Sequence, residues 1–142
     1  MSKQTAHPPA HPLDWQAVDA ALAALALARV LNIGDEADAR AHIDAAPCVK
    51  AAAARFDAMH DLIGDMATAT DGVDTVLELI GAAATAQNRA TVYGLVADYV
   101  AAYGAASPEE MRLLERLGET LALDRLTRAA LDVAARTRAT RL

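Results

Sequence analysis

Residues 97–123 read ADYVAAYGAASPEEMRLLERLGETLAL, and this stretch decides the fold. It is a helix, a glycine-hinged loop and a second helix whose start signal is complete. Ser107 can cap the second helix, Pro108 suits the first helical position, and Glu110 stands where a capping-box carboxylate reaches back to the cap. After the cap, Met111, Leu114, Leu117 and Leu121 recur at helical spacing. Before the loop, Val92, Leu95, Val96, Tyr99, Val100 and Tyr103 do the same. Two such helices need further helices to cover their apolar faces.

Working upstream, Asp71 is placed to cap a helix carrying Val73, Val76, Leu77 and Ile80. Pro47 can start another, whose buried stripe is Phe56, Met59, Ile63 and Met66. A polar helix is expected over residues 35–46, with Ile43 its one large apolar side chain. The first helix begins after an Asp14 cap, with Leu13 and Val18 as a hydrophobic staple, and Trp15, Val18, Leu22 and Leu25 form its inner stripe. It ends near residues 32–34. Downstream, Asp124 caps a seventh helix that turns Leu126, Ala130, Val133 and Thr137 inward. The expected fold is all-α, a compact bundle of about seven helices, with residues 1–12 a disordered tail and residues 13–142 the domain.

An internal echo accompanies this pattern. With Gly34 aligned on Gly104, Leu27, Val30 and Ile33 take the register of Ala97, Val100 and Tyr103, and Ile43 that of Leu113. Two similar helix–loop–helix halves are expected, although helical periodicity alone readily produces such matches.

Composition narrows the function. At 142 residues the chain is one domain in size, and its 54% hydrophobic content with only 4% aromatic residues points to alanine-rich helices that pack closely. A formal charge of -6 argues against non-specific nucleic-acid binding. The basic residues gather late: Arg125, Arg128, Arg136, Arg138 and Arg141 fall on the last helix, as a solvated face or as a partner-binding stripe. Cys48 is the only cysteine, which rules out an intramolecular disulfide and reads as a buried or half-buried structural thiol. The apolar run from Ala20 to Ala28 is too short to span a membrane, no signal-peptide pattern is present, and a cytoplasmic location is expected. Nucleophile elbows, phosphate loops, dinucleotide fingerprints and paired-histidine zinc motifs are missing, so an enzyme is not expected.

The loop and capped helix of residues 97–123, with DGVDTVLELI at residues 71–80 and RATVYG at residues 89–94, resemble the TerB-like tellurite-resistance family. The resemblance covers nearly all of the chain beyond its first dozen residues. It implies an all-α fold of two related halves and a cytoplasmic, non-catalytic binding module in tellurite or wider chemical stress, working with protein partners of a stress-response assembly. The family pattern is also acidic at the position of Asp98. Where that pattern has Asp before the loop glycine, this chain has Tyr103, which is a poor ligand for a hard cation.

The acidic residues carry the alternative function. Asp35, Glu36 and Asp38 on the first loop, Glu109 and Glu110 on the second, and Asp98 on the helix feeding it could hold calcium or magnesium if the loops converge. Asp35, Asp38, Asp98, Glu109 and Glu110 are the candidate ligands of a divalent-metal-responsive sensor, and no other cofactor is expected. Each carboxylate equally suits the first turn of a helix or an exposed surface, and neither loop has EF-hand spacing. Tyr103, Arg136 and Arg138 are the candidate partner-binding residues. Tyr93, Tyr99 and Tyr103 recur on one helix, either as an aromatic contact surface or as a core edge with hydroxyls reaching water. His42 and His60 read as interface or helix-surface residues. A small enzyme stays a remote alternative, requiring a deep acidic cleft.

Overall fold

A computed structural model describes residues 9–142; of the tail expected over residues 1–12, residues 1–8, including His7, lie outside the described residues, and Pro12 belongs to a 3-10 turn. Seven α-helices follow in order: α1 Ala17–Val30, α2 Glu36–Ala45, α3 Phe56–Ala67, α4 Gly72–Ala83, α5 Arg89–Tyr103, α6 Pro108–Thr120 and α7 Arg125–Ala139. Short 3-10 turns occupy Pro12–Asp14 and Lys50–Arg55, and the described residues form no strand. The all-α bundle expected from the sequence is therefore present.

Helix α1 is the axis of the bundle. Every residue from Asp19 to Ala28 is buried, because α3, α4 and α5 pack around it and α2 touches it more lightly. The expected single stripe is thus too narrow. Alanines on the remaining sides let neighbouring backbones approach, so a helix apolar all round becomes a buried rod. The α1 start also differs from the Asp14 reading. Asp14 belongs to the 3-10 turn, Leu13 is exposed and cannot staple, and Asp19 Oδ2 accepts from the Gln16 N–H at 2.9 Å.

The two expected loops share a local plan in a register other than the glycine alignment. Helix α1 closes with Asn32 at φ 67°, where Ile33 N–H donates to Ala28 O at 3.0 Å and Asn32 N–H to Arg29 O at 2.9 Å. Gly34 then adopts φ 68°, and a Cβ there would collide with the Tyr99 hydroxyl. Asp35 caps α2 reciprocally with Asp38, at 2.8 and 3.0 Å. In the second loop Gly104 is extended, at φ -83° and ψ 176°, while Ala106 takes the left-handed conformation at φ 55°. Gly34 and Ala106 each stand immediately before a capping residue, so Ala106, not Gly104, is the conformational counterpart of Gly34. Gly104 is small for another reason: a Cβ would strike the Glu110 carboxylate and the Val100 carbonyl.

The Ser107 cap forms as read: Glu110 N–H donates to Ser107 Oγ at 3.2 Å. Asp124 caps α7, accepting from Thr127 N–H at 2.7 Å, and these hydrogen bonds hold its carboxyl below its ordinary range. Other starts are corrected. Asp71 precedes α4 in a left-handed conformation and its side chain makes no cap bond, and Pro47 leads into a turn and the 3-10 segment before α3 begins at Phe56. Phe56, Met59 and Ile63 are buried on α3, and Val76, Leu77 and Ile80 on α4, as the spacing predicts. Met111 is half exposed and Leu113 takes its place in the core of α6.

The register of α7 is the largest correction. Leu126 is 82% exposed and Val133 53% exposed, and Ala130 and Thr137 face outward with them. Leu131 and Ala135 are the apolar residues turned toward α5, the principal neighbour of α7. Two apolar stripes run along this helix, and the one formed by Leu131 and Ala135 is the one that packs.

Candidate binding site between α5, α6 and α7

The inner face of α7 closes a cleft of about 510 Å³ against α5, α6 and the loop joining them. Ala97, Val100 and Ala101 on α5 and Met111 and Leu114 on α6 give it an apolar floor. Small side chains on α5 leave the space, since α7 approaches the helix elsewhere through Leu131 beside Gly94. Arg128, Asp132 and Arg136 follow one another every fourth residue on α7, so all three point the same way into the cleft.

One hydrogen bond locks the wall. The buried Tyr93 hydroxyl on α5 donates to Asp132 Oδ1 at 2.7 Å. Burial above all, and then this bond to a carboxylate, push the Tyr93 phenol far above its ordinary pKa, so it stays a donor. The Arg128 side chain crosses Gly118 on α6 so closely that a Cβ there would strike the guanidinium. Its Nε is buried and has no hydrogen-bond partner. Among the described residues neither Arg128 nor Arg136 makes an ion pair.

The carboxylates proposed as metal ligands are not brought together. Asp35 and Asp38 are spent on the α2 capping box. Asp98 accepts from Arg138 Nη2 at 2.7 Å and Nε at 3.1 Å, linking α5 to α7. Glu110 is buried and turns back to its own loop, where Oε2 accepts from Ala105 N–H at 2.8 Å and Oε1 from Ser107 N–H at 3.4 Å. Glu109 lines a separate groove of about 290 Å³ with Arg112 and Arg116. Arg116 itself is paired with Asp74 on α4. Among the described residues no group of three or more His, Cys, Asp or Glu side chains is placed to hold a metal ion.

The aromatic residues also separate. Tyr93 faces α7, whereas Tyr99 and Tyr103 face α2, where their ring centroids lie 5.3 and 6.2 Å from that of His42. Tyr99 is fully buried, contrary to a hydroxyl reaching water: it donates to Ile33 O at 2.7 Å, and burial chiefly pushes its pKa up to about 12. His42 Nε2 lies 2.9 Å from Leu95 O. Tyr103, half buried on this cluster, therefore has an intramolecular packing role. Arg138 is engaged by Asp98, which leaves Arg136 the free cation among the three candidate partner residues.

Cys48 is exposed rather than buried in the core, on a second cleft of about 500 Å³ with His42, Leu95 and Asp98. Partial burial of its sulfur raises the thiol pKa and so disfavours the reactive thiolate. A further pair escaped the sequence reading: buried Asp19 on α1 accepts from Arg55 Nη2 at 2.7 Å. Its signal was an acidic residue inside the α1 apolar pattern. For the cleft, the signal was the Arg–Asp–Arg spacing on α7, with one carboxylate among five arginines.

No protein-family model matches the chain, and neither a curated protein nor a solved structure shows significant similarity to it. No described helix is long and apolar enough to cross a membrane.

Proposed function

We propose that this chain is a non-catalytic protein-binding module, and that its partner presents an acidic amphipathic helix to the outer face of α7. The observation that carries this reading is the exposed seam of Leu126, Ala130, Val133 and Thr137. Its spacing of four, three and four residues is that of a helix-packing seam. Arg125 lies exposed on the same helix, and α7 with the residues after it carries five arginines against one aspartate in a chain of net charge -6. Two copies meeting through this face would oppose arginine with arginine, so an acidic partner is favoured over a second copy. A membrane surface fits less well, because the seam has no aromatic anchor and only two large apolar side chains. The TerB-like resemblance supports placing such a module in a cytoplasmic assembly that responds to tellurite or other chemical stress.

Titration of a labelled helical peptide with leucine at seam positions and glutamate on both flanks tests the reading. Binding should weaken with salt and be lost in Leu126→Asp and in Val133→Asp, both of which alter exposed positions and should leave the fold intact. A lysine-flanked peptide should not bind. Equal binding of both peptides, no binding of the acidic one, or a preference for anionic vesicles would overturn the proposal.

A further inference from the structure

The inner face of the same helix poses a separate question, because the cleft sets two guanidinium groups, neither in an ion pair among the described residues, beside an apolar floor. We propose that the cleft between α5, α6 and α7 is a small-molecule site for an amphipathic monocarboxylate, its apolar body lying on Ala97, Val100, Ala101 and Leu114 and its anionic head meeting Arg128 and Arg136. This inference does not rest on the partner helix, which would occupy the opposite face of α7.

Three observations converge on that ligand chemistry. The cleft volume of about 510 Å³ falls within the size range of small-ligand pockets, about 300–1,000 Å³. Arg128 lies across Gly118 with its Nε covered, so a ligand in the cleft can meet only the Nη atoms of its guanidinium. Asp132 is not an ion-pair partner of Arg128, and its Oδ1 accepts from Tyr93. A ligand that brings acceptors therefore has donors to meet, and a planar carboxylate matches the donor fork of arginine.

Charge selects against other heads. Asp132 and Glu115 also line the cleft, so a dianionic phosphate would be repelled by both while it met the arginines. An ammonium head would face Arg128 and Arg136. A neutral alcohol would fill the apolar floor but leave the guanidinium groups without a charged acceptor. A singly charged oxyanion on an apolar chain meets both arginines with less repulsion from Asp132 and Glu115 than a dianion, and its body covers the apolar floor.

The probes are decanoate, decanol, decylamine and decyl phosphate, each below its micelle concentration, titrated calorimetrically into the full chain. Decanoate should bind as one molecule per chain, with decanol, decylamine and decyl phosphate each weaker by about tenfold or more. Arg128→Gln should weaken decanoate by about tenfold while leaving decanol unchanged, which separates loss of a head contact from loss of the fold. Ala101→Phe, which fills the floor, should abolish binding of both, with circular dichroism checking that helicity is kept. Equal affinity for decanoate and decanol, decanoate binding indifferent to Arg128→Gln, or no saturable binding of decanoate would overturn the proposal, the last result meaning that water alone fills the cleft. Retention of the acidic-helix interaction in Arg128→Gln would show the two faces to be independent.

Discussion

Tyr93 and Asp132, on helices that are separate in sequence, are joined by a 2.7 Å hydrogen bond that fixes α7 against α5. Tyr93→Phe removes the donor and leaves a half-buried carboxylate to find water, so a loss of about 1.5–3 kcal/mol is expected, measured by urea denaturation at neutral pH. The same phenol sets an alkaline limit. Tyr93 and Tyr99 are both raised, Tyr99 to about 12, whereas an unfolded tyrosine titrates near about 10. Above about pH 10 the unfolded chain therefore holds fewer protons than the folded one, and stability falls as pH rises. The fall should be shallower in Tyr93→Phe. A flat stability profile from pH 9 to 11.5 would show that the phenols are not protected.

Glu110 should matter more than the serine that caps its helix. Ser107→Ala removes one bond, to the Glu110 N–H, and should cost about 0.5–2 kcal/mol. Glu110→Ala removes the acceptor for both Ala105 and Ser107 N–H groups and a favourable charge at the start of α6, for a loss of about 2–4 kcal/mol. Thermal melts of the two variants decide it; equal midpoints would refute the ranking.

The Asp19–Arg55 pair should respond asymmetrically. Arg55→Met strands a buried carboxylate on α1, for which about 3–5 kcal/mol is expected. Asp19→Asn leaves Arg55, whose side chain is partly exposed and can turn to solvent, so the loss should be smaller. A chemical denaturation series that reversed this order would mean the carboxylate is better solvated than its burial indicates.

Ala122 closes α6 at φ 55°, where Leu123 N–H donates to Gly118 O at 3.0 Å and Ala122 N–H to Glu119 O at 3.0 Å. That position favours glycine, because a Cβ in the left-handed region costs about 1–2 kcal/mol. Ala122→Gly should raise stability by about 0.5–1 kcal/mol once the extra freedom of glycine in the unfolded chain is offset. A lower melting temperature would refute it.

Calcium or magnesium at millimolar concentration should scarcely move the melting temperature, since a site saturated to about a hundred times its dissociation constant would add about 2.7 kcal/mol. Tyr103→Asp, chosen to restore the acidic position of the TerB-like pattern, should now destabilise without creating a cation response. Tyr103 packs on His42 and Tyr99, away from the Asp98–Arg138 pair. A chelator-reversible stabilisation of the unaltered chain would restore the metal-sensor reading.

What the sequence made legible was local. The caps at Ser107 and Asp124 depend on residues within one turn, and each formed as read. The face of α7 was not legible, because Leu126 and Val133 make as regular a stripe as Leu131 and Ala135 while only packing against α5 chooses between them. The stripe on α1 is buried but too narrow for a related reason: alanine fits a core and a surface equally well, so its periodicity is silent about burial. The cleft depends on Tyr93, Gly118, Arg128 and Asp132 meeting from three helices, a juxtaposition with no local signature. Carboxylates near the loops were visible as charges, but their preference for nearby backbone N–H groups over one another is a matter of geometry.

The buried rod of α1 reverses the order in which this chain can be completed. Its residues leave the ribosome before α3, α4 and α5, which are the elements that cover them. Until α5 has been synthesised, starting at Arg89, a ten-residue run from Asp19 to Ala28 is left without its full enclosure. Vectorial folding, with each helix docking as it emerges, therefore cannot finish the core of this chain. The nascent first half should be the form that chaperones hold, and a ribosome paused ahead of Arg89 the point at which aggregation threatens most.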